Sequence, residues 1–246
     1  EASKISKEIV KEKNRKDLRD TLTFTIDPAD AKDFDDALSF KKLKNNNFEI
    51  GIHIADVTHY VKENTLLDKE AKSRATSVYL SDRVVPMLPE TLSNDLCSLN
   101  PNEDKNVFSV LVEIDSKSNI IRTDFTKSLI KSDERMSYEE AQFVLKNNKE
   151  KLPPKVTITG KSRKLSKEIC EALLTLNSIA INLKQKRKKK GSVFFNKEEV
   201  RFVVDKNGEP IDYSIKVQKE ANHLIEEFML LANVLVAKKI KEKNRT

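Results

Sequence analysis

Two stretches of this chain read as one-sided helices, and helices of that kind must bury their apolar stripe against something else. Leu165, Ile169, Leu173, Leu176, Ala180 and Leu183 fall at three- and four-residue steps, which puts them on one face. The spacing predicts a long helix that runs into the basic segment 184–190 and stops at Gly191, with cations at its negative end. A second long helix is predicted over 219–241, with Leu224, Ile225, Phe228, Leu231, Leu235 and Val236 turned toward a core. Period-two alternation elsewhere predicts strands at 21–27, 37–43, 48–56, 106–115 and 119–132. Asn45, Asn46 and Asn47 suggest a hairpin turn. A further hairpin is expected from 192–205 and 210–217, turning at Asn207-Gly208. Residues 66–76 have helical composition, and Ser137 with Glu140 fits a capping box that opens a helix ending near Asn147.

The remaining segments fit one mixed α/β (α+β) domain without internal repeats. Residues 1–20 are a charged lead-in, helical or extended, expected to come from a preceding domain, so the domain proper runs over 21–246. Residues 84–101, VVPMLPETLSNDLCSLNP, are too apolar for a free linker and are expected to pack on the core. Residues 148–160, with Pro153-Pro154, read as a loop.

Charge narrows the partners only a little. Lys and Arg number 46 against 39 Asp and Glu, a net +7 that favours a polyanion, yet at 35% charged residues most of this charge is solvated surface. Cys97 and Cys170 are far apart and form no CxxC pair, which fits reduced thiols in a cytoplasmic protein. No apolar run approaches the ~20 residues that cross a bilayer, and the start of the chain has no signal-peptide core. Beginning with Glu1, the chain reads as a piece of a longer protein.

The chemistry concentrates in Asp27-Pro-Ala-Asp30-Ala-Lys-Asp33-Phe-Asp35-Asp36. Five carboxylates in ten residues, directly after a strand, repel one another unless something positive neutralises them. All-oxygen donors suit a hard cation, magnesium or manganese, which can bind a phosphate and activate a water. A solvated acidic turn is the plain alternative, but Phe34 interrupts the acids and apolar strands flank them. An EF-hand is excluded: counted from Asp27 the third and fifth positions are Ala29 and Ala31, and counted from Asp33 the sixth is Leu38. A dehalogenase-type phosphatase reading of Asp33-Phe34-Asp35 lacks the apolar strand that should lead straight into the first Asp. His53 and His59 could be imagined as zinc ligands, but no Cys partner stands at a suitable spacing.

The segments TFTIDPADAKDFDDALSF, GIHIADVTHYV, DKEAKSRATSVYL, VVPMLPETLSNDLCSLNPNED and ANHLIEEFMLLAN, in this order, resemble the catalytic domain of the ribonuclease II/ribonuclease R (RNB) family, with bacterial ribonuclease R the nearest likeness. The resemblance runs from about Thr21 to the end of the chain. It implies a mixed, largely antiparallel sheet flanked by long helices, in a domain that continues past residue 246. It implies a processive, magnesium-dependent 3′-to-5′ exoribonuclease, monomeric, that releases 5′-nucleoside monophosphates from single-stranded RNA. The family pattern D-x5-D-x-DD matches Asp27, Asp33, Asp35 and Asp36, and leaves Asp30 outside. By the same resemblance Asp27 and Asp36 would be direct metal ligands, Asp33 would hold or share a second metal, and Asp35 would organise the attacking water.

The resemblance also assigns RNA contacts. Tyr79 falls on a base-stacking position and Phe195 on another, beside Phe194. Glu226, on the last helix, would lie near the terminal nucleotide, and the basic run 184–190 would touch phosphates or simply end a helix in solvent. An arginine that contacts the scissile phosphate belongs to the family's later region, so this piece alone is expected to hydrolyse RNA poorly, and to expose apolar surface where the rest would pack.

Overall fold

The computed structural model describes residues 14–80, 83–193, 199–205 and 209–243. In chain order, β1 (Lys16–Asp17), β2 (Thr23–Asp27), β3 (Asp36–Lys42) and β4 (Phe48–Ala55) lead into α1 (Val57–Tyr60) and α2 (Leu66–Arg74). Short strands β5 (Val78–Tyr79) and β6 (Val84–Val85) and a π-helical turn, Thr91–Leu96, precede the long hairpin β7 (Asp104–Ile114) and β8 (Ile120–Lys131). Then follow β9 (Glu134–Ser137), α3 (Tyr138–Asn147), β10 (Lys151–Leu152), a 3₁₀ turn at Pro154–Val156 and β11 (Arg163–Lys164). The long helix α4 (Lys167–Lys189), the pair β12 (Glu199–Val204) and β13 (Pro210–Lys216), and α5 (Glu220–Glu242) complete the chain.

Seven strands form one sheet in the order β1-β8-β7-β4-β3-β2-β9. Its interior pairings are antiparallel, while β1 on β8 and β2 on β9 are parallel edges. The mixed, largely antiparallel sheet flanked by long helices expected from the sequence is the sheet observed. One face carries Phe24, Ile26, Leu38, Ile50, Ile52, Val110, Val112 and Ile114 against the stripes of α3, α4 and α5. Burying each such aliphatic or aromatic side chain stabilises the fold by about 1.5–3 kcal/mol, so the stripe decides which way each helix faces. Ser166 caps α4 by accepting from the Ile169 amide at 3.2 Å. Arg187 closes on buried Glu227 with two hydrogen bonds of 3.0 and 2.6 Å, tying α4 to α5. The buried stripe of α5 ends at Ala232, so Val236, expected to face a core, is exposed.

The opposite face is covered without long helices. Ala37, Ala55, Val107, Leu111 and Ile130 pack under Leu92, Leu96, Cys97 and Leu99 from the connection, and under Phe34 and Leu18. The apolar connection 84–101 packs on the core from Leu88 to Leu99, while Val84 and Val85 at its start are exposed, and it includes a π-helical turn that the sequence does not signal. Polar groups are buried here as well. His53 lies between Ser39 at 2.9 Å and Ser109 at 2.7 Å, and burial lowers its pKa to about 3, leaving a neutral ring. Gly51 makes room for that ring, since a Cβ there would fall 2.5 Å from His53 Nε2 and 2.2 Å from Ser39 Oγ.

The structure adds one strand, changes one local reading and decides between two alternatives for the lead-in. Residues 134–137 form a strand beside β2. The segment 148–160 holds a strand and a 3₁₀ turn rather than loop alone, because Leu152 is drawn into the core. The described part of the lead-in is extended: Lys16 and Asp17 pair with Ser128 and Leu129, and the Arg15 guanidinium reaches the buried Asp56 carboxylate. Of the hairpin expected over 192–217, β12 and β13 pair antiparallel, whereas the Asn207-Gly208 turn lies outside the described residues.

Candidate active site at the aspartate loop

Strands β2 and β3 pair at Thr23–Ser39 and Phe24–Leu38 and then part, and the acidic loop fills the opening between their ends. Asp27 closes β2 and is buried, Asp36 opens β3 half-buried, and Asp33 and Asp35 lie on the loop between them. Asp30 is exposed.

The loop is fastened from two sides. The Ser98 hydroxyl accepts from the Phe34 amide at 3.0 Å and donates to the Lys32 carbonyl at 2.8 Å. The Leu99 amide donates to the Phe34 carbonyl at 2.9 Å, and the Ala55 amide to the Asp35 carbonyl at 3.0 Å. From the other side, Arg135 on β9 donates through Nη2 to the carbonyls of Pro28, Ala29 and Ala31, at 3.1, 2.9 and 3.2 Å. Its guanidinium also lies 4.8 Å from the centre of the Phe34 ring.

Burial and like charge raise three of the four aspartates. Burial first, then the neighbouring Asp36 charge, pushes Asp27 up to about 7, with the Thr25 hydroxyl and then the Arg135 charge pulling the other way. Burial and Asp35 push Asp36 up to about 6, and burial and Asp33 raise Asp35. Asp27 Oδ2 is buried without a hydrogen-bond partner among the described residues. An orphaned buried carboxylate oxygen and carboxyl groups raised by burial and by neighbouring aspartates are what a hard cation would relieve, so the donors fit magnesium or manganese in kind. They do not form a closed cage: among the described residues, no three His, Cys, Asp or Glu side chains are grouped to hold a metal.

Two tyrosines border the loop. Tyr79 is 71% exposed, and its pKa is raised by partial burial and by the charges of Asp33 and Asp35. Tyr138, half-buried at the start of α3, is pushed up to about 12 by burial and by Asp36 and Asp27. The other sequence candidates are less close. Glu226 is exposed on α5, 3.1 Å from His223, and its charge acts on Arg187. Phe195 and its neighbour Phe194 lie outside the described residues. In the basic run, Lys186 Nζ bonds the carbonyls of Lys117 and Ser118 and the Asn119 side chain. His53 is spent on two serines, and His59 stacks edge-on to Tyr60 near Arg15.

Arg135, Ser98 and Tyr138 escaped the sequence reading because their partners are far away in the chain. Arg135 is over a hundred positions from the carbonyls it holds. The one usable signal was Met136 between two polar residues just before the Ser137 cap, a short alternation that could have been read as a strand.

The RNB domain model matches residues 15–246. The chain belongs to the RNB family. It is 45% identical over 93% of its length to DIS3-like exonuclease 2 of Schizosaccharomyces pombe, and 43% identical over 91% to ribonuclease R 2 of Lactococcus lactis. It spans 24% of the first of these proteins and 33% of the second. Among solved structures, RNase R of Mycoplasma genitalium in complex with ribose-methylated single-stranded RNA matches with a TM-score of 0.87 and 31% identity, over 99% of this chain and 36% of that one. Yeast Ssd1, described as a pseudonuclease, matches with a TM-score of 0.69 at 22% identity, over 93% of this chain and 26% of that one, a likeness of fold alone. A fold does not by itself decide catalysis, which depends on the groups at the site.

Proposed function

We propose that this RNB chain forms the metal-binding part of a 3′-to-5′ exoribonuclease that hydrolyses single-stranded RNA to 5′-nucleoside monophosphates. The observation that carries the reading is the loop of four aspartates in the family pattern, with Asp27 and Asp36 both raised, by burial first and then by a neighbouring aspartate, and one Asp27 oxygen unpartnered among the described residues. Relatives named exonuclease and ribonuclease R, and an RNase R neighbour in complex with single-stranded RNA, support the substrate class.

Magnesium or manganese, when bound, would supply Lewis acidity at the phosphate and lower the pKa of a water. Asp27 and Asp36 would hold it from the two strand ends, and Asp33 would hold or share a second ion. Asp35, more exposed than Asp27, would accept and orient the hydrolytic water. Tyr79, presenting most of its ring to solvent beside Asp33 and Asp35, would stack a base near the 3′ end, a contact open to any sequence. Phe195 and Glu226 are proposed as further RNA contacts by family resemblance.

The test uses the full-length protein, 3′-tailed single-stranded RNA and magnesium. Stepwise release of 5′-monophosphates is expected, with Asp35→Asn lowering the rate by about 10²–10⁴-fold while RNA binding is kept. RNA binding by the unaltered protein without any cleavage would make it a binding relative and overturn the reading.

A further inference from the structure

We propose that Arg135 is a positioning residue that fixes the backbone of the aspartate loop for its cation, a role that rests on the metal reading above. One side chain spans most of the loop. Its Nη2 shares two hydrogens among the carbonyls of Pro28, Ala29 and Ala31, and its charge lies over the Phe34 ring. The loop residues it grips fall between Asp27 and Asp35, so a shift in any of them changes how far apart the carboxylates stand.

Four carboxylates on a short loop repel, and without a restraint they would relieve that repulsion by spreading the loop into solvent. Arg135 opposes the spreading twice, with donors that fix the backbone and with a positive charge close to Asp27. Arginine suits both tasks, because its planar fork serves several acceptors while its charge lies over an aromatic ring.

Arg135 is itself held rigid. Its β9 residue stands opposite Thr25 of β2, so the clamp starts from the same strand pair that ends in Asp27. Arg163 donates to the Arg135 carbonyl at 2.9 Å, and also bonds Glu134 at 2.8 Å and buried Glu140 at 2.9 and 2.8 Å. A support of this kind, one layer behind the donor groups, is where changes typically weaken metal binding by about ten- to a hundredfold.

The experiment measures Mn2+ binding directly, by calorimetric titration of the full-length protein without RNA, alongside the Mg2+ concentration that half-activates hydrolysis. Arg135→Lys keeps the charge and loses the planar fork. It is expected to weaken Mn2+ binding by about tenfold or more and to raise the half-activating Mg2+ in step, with RNA affinity in the absence of metal unchanged. Ser98→Ala, which frees the same loop from the opposite side, is the second variant should Arg135→Lys fold poorly, and is expected to move the same two readings in the same direction. Wild-type Mn2+ affinity in Arg135→Lys overturns the proposal while leaving the metal reading intact. Lowered activity with unchanged metal affinity, following only a lower melting temperature, also overturns it. Failure of the unaltered protein to bind Mn2+ overturns the metal reading and the clamp with it.

Discussion

The face of the sheet under α3, α4 and α5 is packed mainly by aliphatic and aromatic side chains, whereas the face under residues 57–100 mixes such side chains with His53, Asp56, Ser98 and Ser109, all buried. Apolar contacts have no direction and let a helix settle by small shifts. Buried polar groups must meet particular partners at particular angles, because an unmatched one costs about 1–3 kcal/mol. The aspartate loop is fastened through Ser98, Leu99 and Ala55 on the second face and through Arg135 at the sheet edge. Directional bonds thus surround the segment whose geometry chemistry would depend on, and non-directional packing supplies the bulk of stability elsewhere.

The largest expected effect tests whether the second face depends on matched charges. Asp56 is fully buried and takes hydrogen bonds from Arg15 and from Thr58, the latter at 2.6 Å, with Lys127 at 3.7 Å. Arg15→Met would leave that carboxylate with a distant lysine and a hydroxyl, at a cost of about 3–5 kcal/mol in chemical denaturation of the full-length protein. A loss below about 1 kcal/mol would mean that this face tolerates mismatch as the helical face does. The same pair would then not be what anchors the lead-in to the end of β4.

A smaller effect reads the charge state of the buried imidazole. With a native pKa near 3, His53 stays neutral over a range in which the unfolded chain, near 6.5, takes up a proton. Its contribution is complete above about pH 6.5 and is lost as pH falls toward 3, at up to about 1.4 kcal/mol per pH unit. Unfolding free energies between about pH 5 and pH 7 should therefore slope less in His53→Gln than in the unaltered protein. Equal slopes would mean that the ring accepts a proton where it lies between Ser39 and Ser109.

What the sequence made legible follows the same division. The stripes of α4 and α5 and the alternation of β3, β4, β7 and β8 are periodic, and periodicity survives without knowledge of partners. The Ser137-Glu140 box was legible because both of its bonds are local. The aspartates were legible as a crowd of like charges. By contrast, the Ser98 and Arg135 fastenings, the burial of Arg15 against Asp56 and the His53 pair of serines join residues from 14 to over 100 positions apart. No local pattern encodes such pairs. The π-helical turn at Thr91–Leu96 was missed for a related reason, since it is shaped by packing Leu92 and Leu96 under the sheet rather than by its own propensities.

The smallest expected effect asks how separate the two faces are. Ser137 begins the capping box, accepting from the Glu140 amide at 3.2 Å while its own amide donates to Glu140 at 2.9 Å. Ser137→Ala removes only the first of these bonds, a loss of about 1 kcal/mol in thermal or denaturant unfolding. Ser137 also stands opposite Asp27 in the β2–β9 register, two residues beyond Arg135. Arg135 is held by Arg163 and by strand pairing, neither of which needs the serine hydroxyl. Metal binding should therefore stay unchanged while stability drops, the signature of a helical-face residue. If Mn2+ affinity falls as well, β9 transmits the state of α3 to the aspartate loop, and the two faces form one mechanical unit through that edge strand.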